Sequence, residues 1–588
     1  MGFQLSPGVS ITETDLTTIV PAVATTAAAF CGKFQWGPVD EITLITKENE
    51  LRTKFGLPVD DNAIDWLTAA SFLAYGNNLQ VVRTFDQGLG MVNAADKLSE
   101  STDGDNQIHN ETDYLSKSAS SLQSNFGTFA AKYPGELGNS LRVVILDNED
   151  HAENSTDASD SNFNTWMQEF DSEPGTSDQI KAITGTDIHD EIHVLVLDAN
   201  GAWTGTKDTV LERFAFVSKA SNATKSDGTS NFYKDVINKT SEYVWFTGHL
   251  DAVTASEVQT TGTAWGTEVD ASTTRFKCIK DSYYSTTFSG GTSNFEGVTG
   301  QDAIDAFEKH FANPEVTDVS LLITGDMTAV QQANIVDIAD ERKDCIAFLS
   351  CREGSGSHSV INLTDCTDHK TALNRSSSYA VLDSGWKYMY DRYNDTFRYV
   401  PLNGDVAGCV VQTDEDNDPW FSPAGFNRGR IRNVTKLPFN PNKTERDTLY
   451  KNGINPVVTF EGEGTILFGD KTLLARPSAF DRINVRRLFI VIEKAIATAA
   501  KYSLFEFNDF FTRQQFKSMI EPYLRDVQSR RGLTDFKVIC DETNNTPAVI
   551  DSNRFVADIF IKPNRAINFI QLNFIATPTG LDFEEIGG

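Results

Sequence analysis

The stretch Val319-Ser-Leu-Leu-Ile-Thr-Gly-Asp-Met-Thr-Ala-Val-Gln-Gln-Ala-Asn-Ile-Val-Asp-Ile-Ala-Asp-Glu-Arg-Lys-Asp-Cys-Ile-Ala-Phe-Leu-Ser350 decides the fold. It reads as a strand over Val319–Ile323, a helix over Ala329–Arg342 and a strand over Cys345–Ser350. With a helix over Asp302–Phe311 before it, the alternation predicts a doubly wound α/β sheet. Upstream, Ala27–Cys31, Ile42–Ile45 and Leu79–Arg83 read as strands. Ile64–Tyr75 reads as a helix with its apolar positions broadly on one face. Trp386–Arg392 and Phe397–Val400 read as paired strands of the same domain.

Residues 89–289 break this pattern. Ser, Thr, Asp, Asn and Gly dominate 89–180, and 89–289 carries 31 acidic against 14 basic side chains, or −17 of the chain's −31. Such composition predicts a polar, β-rich, loop-rich insertion on an outer surface. Residues 89–185 are expected outermost and 186–289 as a second subdomain, with strands at Glu191–Asp198, Val210–Val217 and Ser241–Thr247. Residues 476–588, with 15 basic and 14 acidic side chains, are nearly neutral. An acidic outside and a neutral inside suit a particle that must stay soluble while one face meets a partner.

At 588 residues the chain has room for several cores. No apolar run is long enough to span a bilayer, and the first residues lack a basic leader, so membrane insertion is not expected and synthesis in a cytoplasm is. The acidic balance argues against direct nucleic-acid binding. Seven scattered cysteines without a Cys-x-x-Cys read as buried, reduced thiols.

The motifs that carry chemistry elsewhere fail here on detail. His189 and His193 have the spacing of a helical zinc site, but the strand-like Val194-Leu-Val-Leu197 would hold them about 13 Å apart. Gly464-Thr-Ile-Leu-Phe-Gly-Asp-Lys-Thr472 approaches a phosphate loop, yet Asp470 stands where Lys must, and the run reads better as a strand between glycine turns. Asp414, Asp416 and Asp418 start like a calcium loop, but Pro419 and Gly425 replace its required Gly and Glu, leaving a solvated turn. No catalytic residue, metal or cofactor is expected.

The C-terminal part reads as a helix over Arg482–Leu504, a second over Thr512–Arg531, and two strands, Phe555–Lys562 and Ile567–Ala576. In the second helix Phe516, Met519, Ile520, Tyr523, Leu524 and Val527 form one apolar stripe, with Thr512 as its cap and Gly532 at its end. Arg513, Lys517, Arg525, Arg530 and Arg531 against Glu521 and Asp526 give it a net charge of +3. Lys517–Glu521–Arg525 fits ordinary ion pairing four residues apart, so a solvated face and a docking face are both open readings. At the other end, Val9, Ile11 and Glu13 alternate as a short strand with no neighbouring partner in sequence.

These C-terminal elements follow Pro419-Trp-Phe-Ser-Pro-Ala-Gly-Phe-Asn-Arg-Gly-Arg430, Leu449-Tyr-Lys-Asn-Gly-Ile-Asn-Pro456 and Gly462-Glu-Gly-Thr-Ile-Leu-Phe-Gly469. In that order and spacing they resemble the core of contractile tail sheath proteins of tailed bacteriophages. The resemblance implies a structural subunit, not an enzyme. It would stack as hexameric rings in a helical sheath around a tail tube, joined to baseplate and tail terminator proteins, and contract to drive the tube through the host envelope. It implies a virion location after assembly in the host cytoplasm. The layout implied is an N-terminal arm (1–21), an α/β middle domain (22–88 and 290–439) and a C-terminal α+β domain with its own arm (440–588). Unpaired sheet edges suit strand exchange between subunits, with Val9, Ile11 and Glu13 of one arm meeting Phe555, Ala557, Ile559, Ile570, Leu572 and Phe574. The resemblance also implies that this C-terminal domain lies innermost, and the net charge of the helix 512–531 then makes it the candidate element for docking on the tube through Arg513, Lys517, Arg525, Arg530 and Arg531. A non-viral contractile injection device with the same subunit type is an alternative; an enzyme built on the α/β region around 300–350 is another.

Overall fold

The structure is a computed structural model that describes residues 25–86, 90–97, 107–148, 161–353, 360, 362–568 and 571. The expected arm residues Val9, Ile11 and Glu13, and Ile570, Leu572 and Phe574 at the other end, lie outside the described residues. The chain divides into two compact units, a larger one from 24–412 and 424–475 and a smaller one from 413–423 and 476 onward.

Wholly buried strands make the frame of the larger unit. Ala28–Gly32, Leu321–Ile323, Ile346–Ser350 and Ala380–Asp383 have no exposed residue, as expected of parallel strands covered on both faces. They belong to a seven-stranded sheet in the order Ile454–Asn455, Ala380–Asp383, Ile346–Ser350, Leu321–Ile323, Ala28–Gly32, Leu79–Arg83, Ile42–Ile45. All neighbours are parallel except the last pair. Helices Gly300–Phe311 and Ala329–Arg342 pack Phe307, Phe311, Ile335, Val336 and Ile338 against Leu322 and Leu349. Both start in capping boxes, Thr299 with Asp302 and Thr328 with Gln331, which satisfy backbone donors that the first turn of a helix leaves unpaired.

The domain limit expected at 439/440 falls at 475/476 instead. The helix Lys443–Lys451 leads into Ile454–Asn455, which pairs with Leu382–Asp383 as the last strand of the parallel sheet. An edge strand this short carries no periodicity to read. The hairpin Val457–Phe460 with Gly464–Leu467 follows it, so the run between glycine turns is a strand.

The polar insertion is one module and not two subdomains. Leu141–Leu146 lies between Glu191–Asp198 and Tyr283–Thr287 in a four-stranded antiparallel sheet completed by Thr209–Ser218. Phe129–Ala131 pairs with Val244–Phe246. Each sheet therefore joins chain from both sides of residue 185. Their shared core includes Phe129, Val143, Ile145, Val194, Val196, Tyr233, Phe246 and Trp265. Antiparallel pairing between segments far apart in sequence is what composition cannot show. A buried ion pair ties the module together. Lys219 Nζ lies 2.8 Å from Asp147 Oδ2, with both side chains fully buried, and it also donates to the His189 carbonyl at 3.1 Å. Asp147 in turn accepts from the Ile279 amide at 3.0 Å.

Candidate functional site

In a doubly wound sheet the first place to look for chemistry is the crevice at the C-terminal ends of the strands, where their order reverses. Here the reversal falls between Ala28–Gly32 and Leu321–Ile323, and the protein fills that end with its own chain. Asn403, which opens the helix Asn403–Asp416, donates through Nδ2 to the Gly325 carbonyl at 2.8 Å and to Thr324 Oγ1 at 3.3 Å. Its amide donates to Ser350 Oγ at 2.8 Å, and Ser350 donates to Asp383 at 2.8 Å. Two glycines let the helix approach. A Cβ at Gly404 would meet the Thr68 carbonyl at 2.6 Å, and one at Gly408 the Tyr75 ring at 2.4 Å.

The polar groups beneath are structural. Asp405 takes Lys387 Nζ at 2.7 Å and the Tyr75 hydroxyl at 3.1 Å. Burial raises the pKa of both Asp383 and Asp405 above the usual carboxylate range. Asp65, which accepts from the Lys33 amide, is pushed up to about 6, mainly by burial and further by Asp326 nearby. No group of three or more His, Cys, Asp or Glu able to hold a metal occurs among the described residues.

The other motifs resolve in the same direction. His193 sits in the strand Glu191–Asp198, stacked on Phe170 at 4.1 Å and edge-on to Phe216. Its Nδ1 accepts from the Phe216 amide at 3.0 Å, and burial lowers its pKa. Asp414 and Asp418 do not form a solvated turn. Asp414 is buried in an ion pair with Arg487, and Asp418 pairs with Arg530 at 2.8 Å. All seven cysteines are buried, and none is in a disulfide.

The smaller unit is where surface features concentrate. Its core joins Leu488, Ile492 and Ile496 of the helix Ile483–Ala500 to Phe516, Ile520, Leu524 and Val527 of the helix Phe510–Ser529, together with Trp420. Each such side chain, fully buried, is worth about 1.5–3 kcal/mol. The second helix starts earlier than expected because Asp509 is its cap, accepting from the Thr512 amide at 2.8 Å. It ends at Ser529, and Arg531 beyond it, with a φ of 69°, takes the left-handed turn expected at Gly532. The segment 413–423 is fastened to this unit by the two ion pairs above and by Trp420, whose Nε1 donates to the Arg530 carbonyl at 3.0 Å.

The five basic residues of this helix do not share a face. Arg513 stands three before Phe516, in line with the buried stripe, and is itself only 5% exposed. Its guanidinium donates to Asn508 Oδ1 at 2.9 Å, so it is not part of an accessible docking surface in this chain. Lys517 and Arg525 flank Glu521 on the outer side at 3.7 and 3.6 Å, the expected ion-pair ladder. Arg530 is engaged by Asp418 and Asp526 and lies 4.9 Å over the Trp420 ring. Arg531 is exposed beyond the helix end.

The C-terminal sheet also differs from expectation. Its strands are Leu533–Ile539 and Asp558–Pro563, antiparallel, with Lys537 opposite Phe560 and Phe536 opposite Ile561. The strand expected over Phe555–Lys562 thus begins at Asp558 and pairs with Leu533–Ile539; most of the second expected strand, Ile567–Ala576, lies outside the described residues. Residues 564–568 are not strand. The strand Leu533–Ile539 carries little signal in sequence, because it follows the helix stop at once and mixes polar and apolar residues irregularly. Of the three residues expected on this strand, Ile559 alone lies on it. Phe555 precedes it, edge-on to Phe516 at 5.2 Å, and Ala557 and Ile559 pack partly buried on the core. The sheet has two strands, so among the described residues each has one unpaired edge. Sequence reasoning also passed over the connection 501–509 and the two residues after it, whose aromatic side chains stand out from the surface. The dense run Tyr502-Ser-Leu-Phe-Glu-Phe-Asn-Asp-Phe-Phe511 was the available signal.

Known proteins give this geometry its setting. The family model for the phage tail sheath C-terminal domain matches residues 475–577, that for the phage tail sheath protein central domain 296–473, and that for the tail sheath protein Gp18 domain III N-terminal region 25–84. The first two meet at the observed unit boundary. The chain is 33% identical to the tail sheath protein of Vibrio phage KVP40, covering 99% of this chain and 100% of that one. It is 32% identical to the tail sheath protein of Enterobacteria phage T4, covering 99% of each. The fold is similar to that of a sheath tail protein from Desulfitobacterium hafniense at 12% identity and a TM-score of 0.51, covering 95% of this chain and 100% of that one.

Proposed function

Because the chain belongs to the tail sheath protein family of contractile phages, we propose that it polymerises through its own C-terminal unit into stacked hexameric rings forming a helical sheath around a tail tube. The observation that carries this is the two-stranded sheet of Leu533–Ile539 and Asp558–Pro563, in which each strand has one edge unpaired among the described residues. Open edges are a liability in a monomer and a means of assembly when a neighbour's arm completes them. The arms carrying Val9, Ile11 and Glu13, and Ile570, Leu572 and Phe574, supply the alternating segments for that role. Joined this way, subunits stay tethered by flexible links while they rotate, and the difference between two packings of identical copies drives the tube through the host envelope.

In this reading Lys517 and Arg525 face the tube, and baseplate and tail terminator proteins close the ends. The protein resides in the virion after assembly in the host cytoplasm. It works without catalysis, cofactor, nucleic acid or membrane insertion; the crevice filled by Asn403 supports the first of these. Negative-stain microscopy of the purified chain tests it: tubes or rings are expected. Deletion of residues 1–20, or of the segment from Ile567, should yield monomers with the larger unit folded. Long polymers from either truncation would refute strand exchange.

A further inference from the structure

The connection between the two long helices of the smaller unit exposes an apolar surface with no counterpart elsewhere in the described chain. Tyr502 is 76% exposed, Leu504 62%, Phe505 105%, Phe507 83%, Phe510 71% and Phe511 74%. With aromatic side chains each covering roughly 150–250 Å², the patch offers on the order of 800 Å². That exceeds the largest apolar patch of an ordinary monomer, about 300–600 Å², and equals one partner's share of a stable protein interface, about 800 Å². With Arg513 buried, Lys501 stands against Glu506 and Asp509 here, a net charge of only −1, so the attraction this surface offers is chiefly apolar. Phe505 also holds a φ of 69°, a left-handed conformation that a bulky residue adopts at a cost and that turns its ring wholly outward.

We infer that the loop 502–511 is a docking element that inserts into a second copy of this chain. The inference rests on the reading that the chain polymerises and adds a contact separate from the strand edges. A loop that met the same loop of its neighbour would close a dimer and stop growth. A loop that meets a different surface of the next copy leaves a free loop at one end and a free acceptor at the other, which is the geometry an extended polymer needs. A strongly charged partner is a poorer fit, because the patch offers it a single net charge among six exposed apolar side chains.

The test uses the full-length chain with two variants, Phe507→Ser/Phe511→Ser and Phe505→Asn, followed by sedimentation, negative-stain microscopy and thermal melting of the monomer. Both sites are exposed, so the double variant should melt as wild type. Its critical concentration for assembly should rise about 100-fold or more, since each aromatic lost from a filled contact costs at least about tenfold in affinity. Asn tolerates the left-handed region better than Phe, so Phe505→Asn should leave monomer melting unchanged or raised while still weakening assembly. A purely structural role predicts no such split. Excess double variant should also cap growing wild-type polymers, because its acceptor surface is intact. Normal assembly by both variants would overturn the inference and leave the polymer reading standing. So would polymers of normal length that fail only to bind tubes, which would assign the loop to the tube. Failure to cap would overturn the loop-to-acceptor geometry. A wild-type chain that never polymerises would overturn the inference and the proposed function together.

Discussion

Replacing Lys219 by Met should release the insertion module from its own core. The ammonium is fully buried and contacts both oxygens of Asp147, at 2.9 and 2.8 Å. It joins the end of the strand Thr209–Ser218 to that of Leu141–Leu146, and it lies 5.2 Å over the Trp265 ring. Methionine fills similar volume but leaves the Asp147 carboxylate without its cation. Breaking a buried pair from one side costs about 3–5 kcal/mol. At about 1.4 kcal/mol per tenfold, amide protection in Leu141–Leu146 and Glu191–Asp198 should fall by roughly two to three and a half orders of magnitude. Hydrogen exchange with mass spectrometry reads this directly, because strand opening is measured peptide by peptide. The double variant Asp147→Asn/Lys219→Met, which removes both charges, should recover most of the loss. Sheath assembly by Lys219→Met should stay near wild type if the insertion lies on the outer surface, as its acidity suggests. Protection within about tenfold of wild type in the single variant would refute the reasoning about burial. Lost assembly would refute the outer placement.

Three further outcomes are expected. Reversing Lys517 and Arg525 to Glu should abolish assembly on tubes while tube-free polymers persist, and added salt should imitate the reversal; full-length sheaths on tubes carrying both changes would mark this face as merely solvated. Asp65 holds its proton up to about pH 6 in the folded chain, whereas an unfolded aspartate releases it near 3.9, so the wild type loses stability as pH rises through that window. Asp65→Asn should therefore gain on wild type by up to about 3 kcal/mol at pH 7 relative to pH 4, and denaturation midpoints whose difference ignores pH would contradict it. Limited proteolysis should cut first between residues 100 and 180, in the Ser/Asp/Asn-rich acidic stretches, and first cleavage within 480–580 would count against that layout.

The sequence by itself determined whatever rests on local periodicity. Ala329–Arg342, Leu79–Arg83, Ile42–Ile45 and Glu191–Asp198 fall where their patterns place them, because buried parallel strands and amphipathic helices write their environment into consecutive residues. The order of the C-terminal motifs was enough to reach the family. Only the tertiary structure decided pairings between distant segments. Leu141–Leu146 entered one sheet with a strand from beyond residue 280, Ile454–Asn455 closed the parallel sheet, and Leu533–Ile539 became the partner of Asp558–Pro563. It also decided which charges are available. Arg513 and Arg525 look alike in a helical stripe, but the first falls in line with Phe516 and is buried, while the second faces outward beside Glu521. Net charge is a sum over residues, whereas a docking face is a matter of direction, and direction is fixed by which side of the helix the core covers.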